Sequence, residues 1–123
     1  MNKNKFHKSL LFAVKGIVSG ISKERNIKIQ ILIGFAVILI SLLLGIPNIE
    51  FIIILFISFF VIIMELLNTC IEKLIDKLSP GYDKDYGEIK DMAAGAVLLT
   101  VILSIIIGFL ILLNPIINFV KQL

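Results

Sequence analysis

Three long apolar runs divide the chain, and a shorter segment before them mixes apolar and polar positions at helical spacing. In residues 5–23, Phe6, Leu10, Ala13, Val14, Ile17 and Ile21 recur along one face, while Lys8, Lys15, Ser19 and Ser22 fall largely on another. That pattern predicts an amphipathic helix, able to lie in a membrane interface or to pack on a partner. The first apolar run, 29–46, has Gln30 and Ser41 as its polar members and is near the minimum length for crossing a bilayer. Gly45-Ile46-Pro47-Asn48 should end it in a tight turn. The second run is apolar from Phe51 to Met64 apart from Ser58, and its periodicity continues through Leu74, Ile75 and Leu78. A single helix over 49–78 should therefore leave the membrane and stop before Ser79-Pro80-Gly81. Residues 79–91 read as a polar loop. The third run, 92–113, should end at Asn114-Pro115, with 116–120 as an interfacial tail. The expected class is all-α integral membrane, an N-terminal surface helix plus three transmembrane helices in one domain over 1–123.

Composition strengthens this reading. Of the 123 residues 59% are hydrophobic, and the mean hydropathy is +1.06, more than a water-soluble core of this size can absorb. The net charge of +3 matters less than its distribution. Seven of the twelve Lys and Arg residues precede residue 29, four more lie between Lys73 and Lys90, and the 45–50 turn has none. The positive-inside rule then puts the N-terminus and the 72–91 segment in the cytoplasm, and the turn and C-terminus outside. Anionic lipid would attract both basic zones, whereas so apolar a chain is no partner for nucleic acid. The N-terminal charges are spread from Lys3 to Lys28, unlike those of a cleavable signal peptide. Cys70 is the single cysteine, so it forms no intrachain disulfide and reads as a small helix residue, and His7 reads as an interfacial side chain.

The chemistry concentrates on one helix. Glu65, Asn68, Glu72 and Asp76 are spaced by three, four and four residues and so share a face, with Thr69 beside them. Lys73 and Lys77 fall on a neighbouring face. Glu65 sits more than a turn inside the apolar run, where an ionisable group is costly and marks a functional position unless it snorkels to the interface. A carboxylate there suits proton abstraction. Glu24 ends the first helix at the same membrane edge. Lys90 and Asp91 precede the third run, where a helix N-terminus would favour phosphate, or where Asp91 would act as an N-cap. Carboxylates with a lysine suit Mg²⁺ and phosphate together. No GxxxxGK[ST] and no kinase-type glycine loop is present. From the residues alone, a small proton-coupled transporter using Glu65 competes with an enzyme, although acids at one membrane edge fit a transporter's midplane site poorly. A non-enzymatic membrane accessory protein is a third reading.

Glu65-Leu-Leu-Asn68-Thr-Cys-Ile-Glu72 with Asp76, and Lys90-Asp91-Met-Ala-Ala-Gly-Ala-Val97, resemble the signatures of the bacterial diacylglycerol kinase and undecaprenol kinase family. Glu24-Arg25-Asn26 and Ser9, Ala13 and Gly16-Ile17 match its N-terminal pattern, so the resemblance covers nearly the whole chain. It implies a homotrimer of three-span subunits in the bacterial plasma membrane, with active sites shared between subunits. It also implies phosphorylation of a membrane lipid alcohol by ATP with Mg²⁺. It casts Glu65 as catalytic base with Asn68 in support, and Glu24 and Glu72 as metal ligands that carry the phosphates. Lys90, Asp91, Asp76, Tyr82 and Gly87 would join Glu24 and Glu72 in binding nucleotide, and Ala94 would join Glu65 in binding the lipid. Lys5, Phe12, Cys70 and Asp83 depart from residues found in some members, and Gln30 replaces a Glu of the diacylglycerol-specific branch. The Ala-Ala-Gly-Ala run and Glu-Arg-Asn look more like the undecaprenol kinase branch.

Overall fold

The computed structural model describes residues 3–123 as four helices: α1 (Lys3–Lys23), α2 (Arg25–Leu44), α3 (Asn48–Leu78) and α4 (Lys84–Lys121). Helices α2, α3 and α4 are long and apolar enough to cross a membrane. The buried hydrophobic residues are few, and exposed Ile, Leu, Val and Phe side chains line every helix. In water such a surface would be untenable. In a bilayer the lipid tails solvate it.

Each junction has a local cause. A single extended residue, Glu24, separates α1 from α2 (φ −110°, ψ 115°), and its N–H donates to the Gly20 carbonyl at 3.0 Å. The chain thus turns a corner almost without interrupting its hydrogen bonds. Gly20 makes the corner tight. A Cβ there would lie 2.5 Å from Leu66 Cδ2 of α3, so only glycine lets the two helices approach this closely without displacing Leu66. Ile27, fully buried, fills the inside of the corner.

Helix α2 stops at Leu44, two residues short of the 29–46 run, because Gly45 takes the left-handed conformation (φ 64°, ψ 40°) and donates its N–H to the Leu42 carbonyl. Pro47 then leads into α3, whose extent agrees with the expected 49–78 helix to within a residue. A cluster of Ile46, Ile54 and Leu112 holds α2, α3 and α4 together at this end.

The helix of the third apolar run, α4, differs most from expectation. It begins at Lys84, not at Met92, and runs through Pro115 to Lys121. Asp83 is its N-cap, accepting from the backbone N–H of Asp85 at 3.0 Å and of Tyr86 at 3.1 Å. The loop after α3 therefore shrinks from 79–91 to 79–83. The first two turns of α4, 84–91, are mostly polar and lack an apolar stripe, so hydrophobic periodicity could not reveal them. Pro115 lacks only one donor, and a long helix absorbs that loss.

Candidate active site

The C-terminal half of α3 passes the α1–α2 corner and then the start of α4, and the polar residues collect along this path. Glu65 is 7% exposed and Thr69 8%, both buried polar residues on a helix otherwise packed with Ile and Val. One turn on, Asn68 donates Nδ2–H to Glu72 Oε1 at 3.1 Å. The Asn68 side chain also interacts with Glu65, and the charges of Glu72 and Glu24 both reach the Glu65 carboxylate. Glu65, Asn68 and Glu72 thus share one face of α3, and the α1–α2 corner brings Glu24 alongside the same helix. Glu24 does not cap α2 with its side chain. It turns to α3 instead, where Lys73 Nζ lies 3.9 Å from Glu24 Oε1.

A second group adjoins the first one turn further along α3. The end of α3, the 79–83 loop and the start of α4 enclose a cleft of about 550 Å³, within the range of small-molecule sites. Asp76, Tyr82, Gly87, Lys90 and Asp91, five of the expected nucleotide residues, all line it. Lys90 Nζ donates to Asp76 Oδ1 at 2.9 Å across the two helices. That hydrogen bond, and then the Asp76 charge, push the Lys90 ammonium above the usual lysine range; Glu72 and Asp91 add to the effect. Tyr82 is almost fully exposed at the cleft rim, its ring 3.8 Å from where a Cβ on Gly87 would stand. Ala94 is exposed on the next turn of α4 and does not line the cleft.

Two readings need correction. Lys90 and Asp91 do not stand at a helix N-terminus, nor is Asp91 an N-cap, because α4 starts six residues before Lys90. Any phosphate there must be held by side chains, since Asp83 already occupies N–H groups of the first turn. Lys73, set apart from the acids on α3 itself, pairs with an acid of another element. No spacing rule links residues so distant in sequence. Asp83 was the one findable omission, since an Asp just before a helix is a capping signal.

Metal binding was tested against the donors present. Among the described residues no three His, Cys, Asp or Glu side chains converge on one point. Glu24 and Glu72, from two elements, are what the chain offers. This fits Mg²⁺, which is held by one or two carboxylates with substrate phosphates and water completing the shell. Asn68 Oδ1 is buried and accepts no hydrogen bond, leaving a neutral oxygen beside Glu72.

Comparison with known proteins identifies the family. The prokaryotic diacylglycerol kinase family profile matches residues 11–112. The chain is 37% identical over 114 residues to a diacylglycerol kinase of Synechocystis sp., an alignment covering 89% of this chain and 63% of that protein. It is 36% identical over 110 residues to the undecaprenol kinase of Bacillus subtilis, covering 89% of each. Nothing in these comparisons supports a transporter. With its three membrane-length helices and all of its acids but Glu50 gathered at one end of them, the chain belongs to the prokaryotic diacylglycerol kinase family, a family of lipid kinases.

Proposed function

We propose that this protein transfers the γ-phosphoryl group of ATP, with Mg²⁺, to the hydroxyl of a membrane lipid alcohol at the cytoplasmic face of the bacterial plasma membrane. One observation carries the reading: a single face of α3 runs from buried Glu65, through the Asn68–Glu72 pair, to Asp76 and the Lys90 cleft. A lipid hydroxyl reaching Glu65 from the membrane and a nucleotide entering the cleft from water would approach along the same helix. Amphipathic α1 lies in the interface at this edge.

Glu65 takes the hydroxyl proton as the lipid oxygen bonds to the γ-phosphorus and the bond to the ADP oxygen breaks. Asn68 holds Glu72 and orients the base. Glu24 and Glu72 would hold Mg²⁺, which when bound would supply charge neutralisation for the phosphoryl group. Lys90 binds phosphate oxygens, with Asp91, Asp76, Tyr82 and Gly87 around the nucleotide, and Ala94 faces the lipid. Phosphoryl transfer asks chiefly for positioning and charge neutralisation, which so small a site can supply.

Undecaprenol is the preferred acceptor over diacylglycerol. The motif resemblance supports this, while the identities to the two relatives, 37% and 36%, do not separate them. Assays with radiolabelled ATP against both lipids in matched micelles test the whole reading. Transfer to undecaprenol with the higher kcat/KM is the expected result. A preference for diacylglycerol reverses the lipid assignment, and transfer to neither lipid sinks the kinase reading. The working unit is a homotrimer with sites completed between subunits. A native mass in detergent other than three times the 13.7 kDa chain would refute that.

A further inference from the structure

The role of Asp76 raises a chemical difficulty. A carboxylate lining a cleft that receives a polyphosphate should repel it. Asp83, Glu88 and Asp91 line the same cleft, where acids outnumber the two lysines, Lys84 and Lys90, of which Lys90 is the one bonded to Asp76. Unless a cation stands between them, Asp76 and a nucleotide phosphate oppose each other.

Lys90 is placed to be that cation. Its ammonium donates to Asp76 Oδ1 at 2.9 Å, a charge-assisted hydrogen bond joining the last turns of α3 to the second turn of α4. An ammonium has three N–H donors. One is used on Asp76, and the other two remain for an anion in the cleft. Lysine is also a flexible four-carbon stem that loses considerable side-chain entropy when fixed. A fixed carboxylate at its tip, anchored on a neighbouring helix, removes much of that freedom before the ligand arrives. Lys90 itself lines the cleft, as Asp76 does.

We infer that Asp76 is a positioning residue that acts through Lys90: it fixes the Lys90 ammonium in the cleft and makes no favourable contact of its own with the nucleotide. This rests on the reading that the cleft receives the nucleotide. It separates two residues that the motif resemblance places together as nucleotide ligands.

A double-mutant cycle read by binding, without lipid and without turnover, tests it. Mg-ADP is titrated calorimetrically into the full-length protein in detergent, as wild type, Asp76→Asn, Lys90→Met and the double variant. Asp76→Asn should weaken binding about three- to tenfold, the loss typical of one ordering hydrogen bond. Lys90→Met should weaken it more. On the Lys90→Met background, Asp76→Asn should change affinity by less than about twofold, because nothing is left for Asp76 to hold. Asp76→Glu should recover part of the loss. Equal losses on both backgrounds would show that Asp76 contacts the nucleotide independently. Tighter binding by Asp76→Asn would show that it merely opposes the ligand. Either result overturns the positioning role and leaves the nucleotide reading standing. Absence of Mg-ADP binding by well-folded wild type would instead overturn that reading, and this inference with it.

Discussion

Glu65 and Glu72 share a helix face but not an environment. Glu65 is buried at 7% exposure, while Glu72 is half-buried and accepts from Asn68. They are two helical turns apart, so about 10 Å separates them along the axis. On the proposed function the buried group would meet the lipid hydroxyl, and the more exposed one Mg²⁺ and phosphate. A base and a metal ligand should fail differently. Glu65→Gln should lower turnover by about 10²–10⁴-fold and leave Mg-nucleotide binding nearly intact. Glu72→Gln should weaken Mg-nucleotide binding itself, because a hard cation loses an anionic oxygen. Calorimetric titration of both variants decides, and a reversed pattern would mean the roles are exchanged. The α3 acids were legible as a group because helical spacing alone puts them on one face. The environment that tells them apart comes from α1 and α2, which spacing on α3 does not describe.

The α1–α2 corner delivers Glu24 to α3, and two contacts hold it there. Gly20 packs against Leu66, and Lys73 reaches Glu24. The ion pair is long and largely solvated, and such pairs contribute about 0–1 kcal/mol. The close packing is therefore the stronger constraint. Gly20→Leu puts a branched side chain where Leu66 already lies, an overpacking that costs about 1–3 kcal/mol or moves the corner outward. Expected outcomes are a lower thermal midpoint and a fall in kinase activity of about tenfold or more as Glu24 withdraws from α3. Leu66→Ala in the same chain should recover part of both by vacating the space. Failure of Leu66→Ala to restore anything would show that Gly20 acts by some other route. Gly20 lay within a segment correctly read as helical, yet nothing in the surrounding pattern shows which glycine meets another helix.

Across the whole molecule, polar and apolar work are separated by end. The 45–47 turn and the Ile46–Ile54–Leu112 cluster occupy one end, and the acids, Lys90 and the 79–83 loop the other. The lysine asymmetry predicts that the second end faces the cytoplasm. Because Cys70 is exposed, labelling must begin from a Cys70→Ser background. On it, Asn48→Cys in intact cells should react with an impermeant thiol reagent, and Ser79→Cys only after permeabilisation. Labelling of Ser79→Cys first would invert the topology.

Hydrophobic patterning was sufficient for the helices that contain the three apolar runs and for the acids they carry. A bilayer imposes a length and an apolar requirement that can be counted along the chain, and a helix converts spacing into a face. The same reasoning failed where the environment is water. The first turns of α4 carry no apolar stripe, so the Asp83 cap and the true position of Lys90 and Asp91 stayed hidden. Tertiary structure alone decided which charges meet: Lys73 with Glu24, Lys90 with Asp76, and Glu24 with the α3 acids. Those pairings join different helices. Their geometry depends on how closely the helices pack and where each begins, and Gly20 and Asp83 set both through contacts that have no period in the sequence.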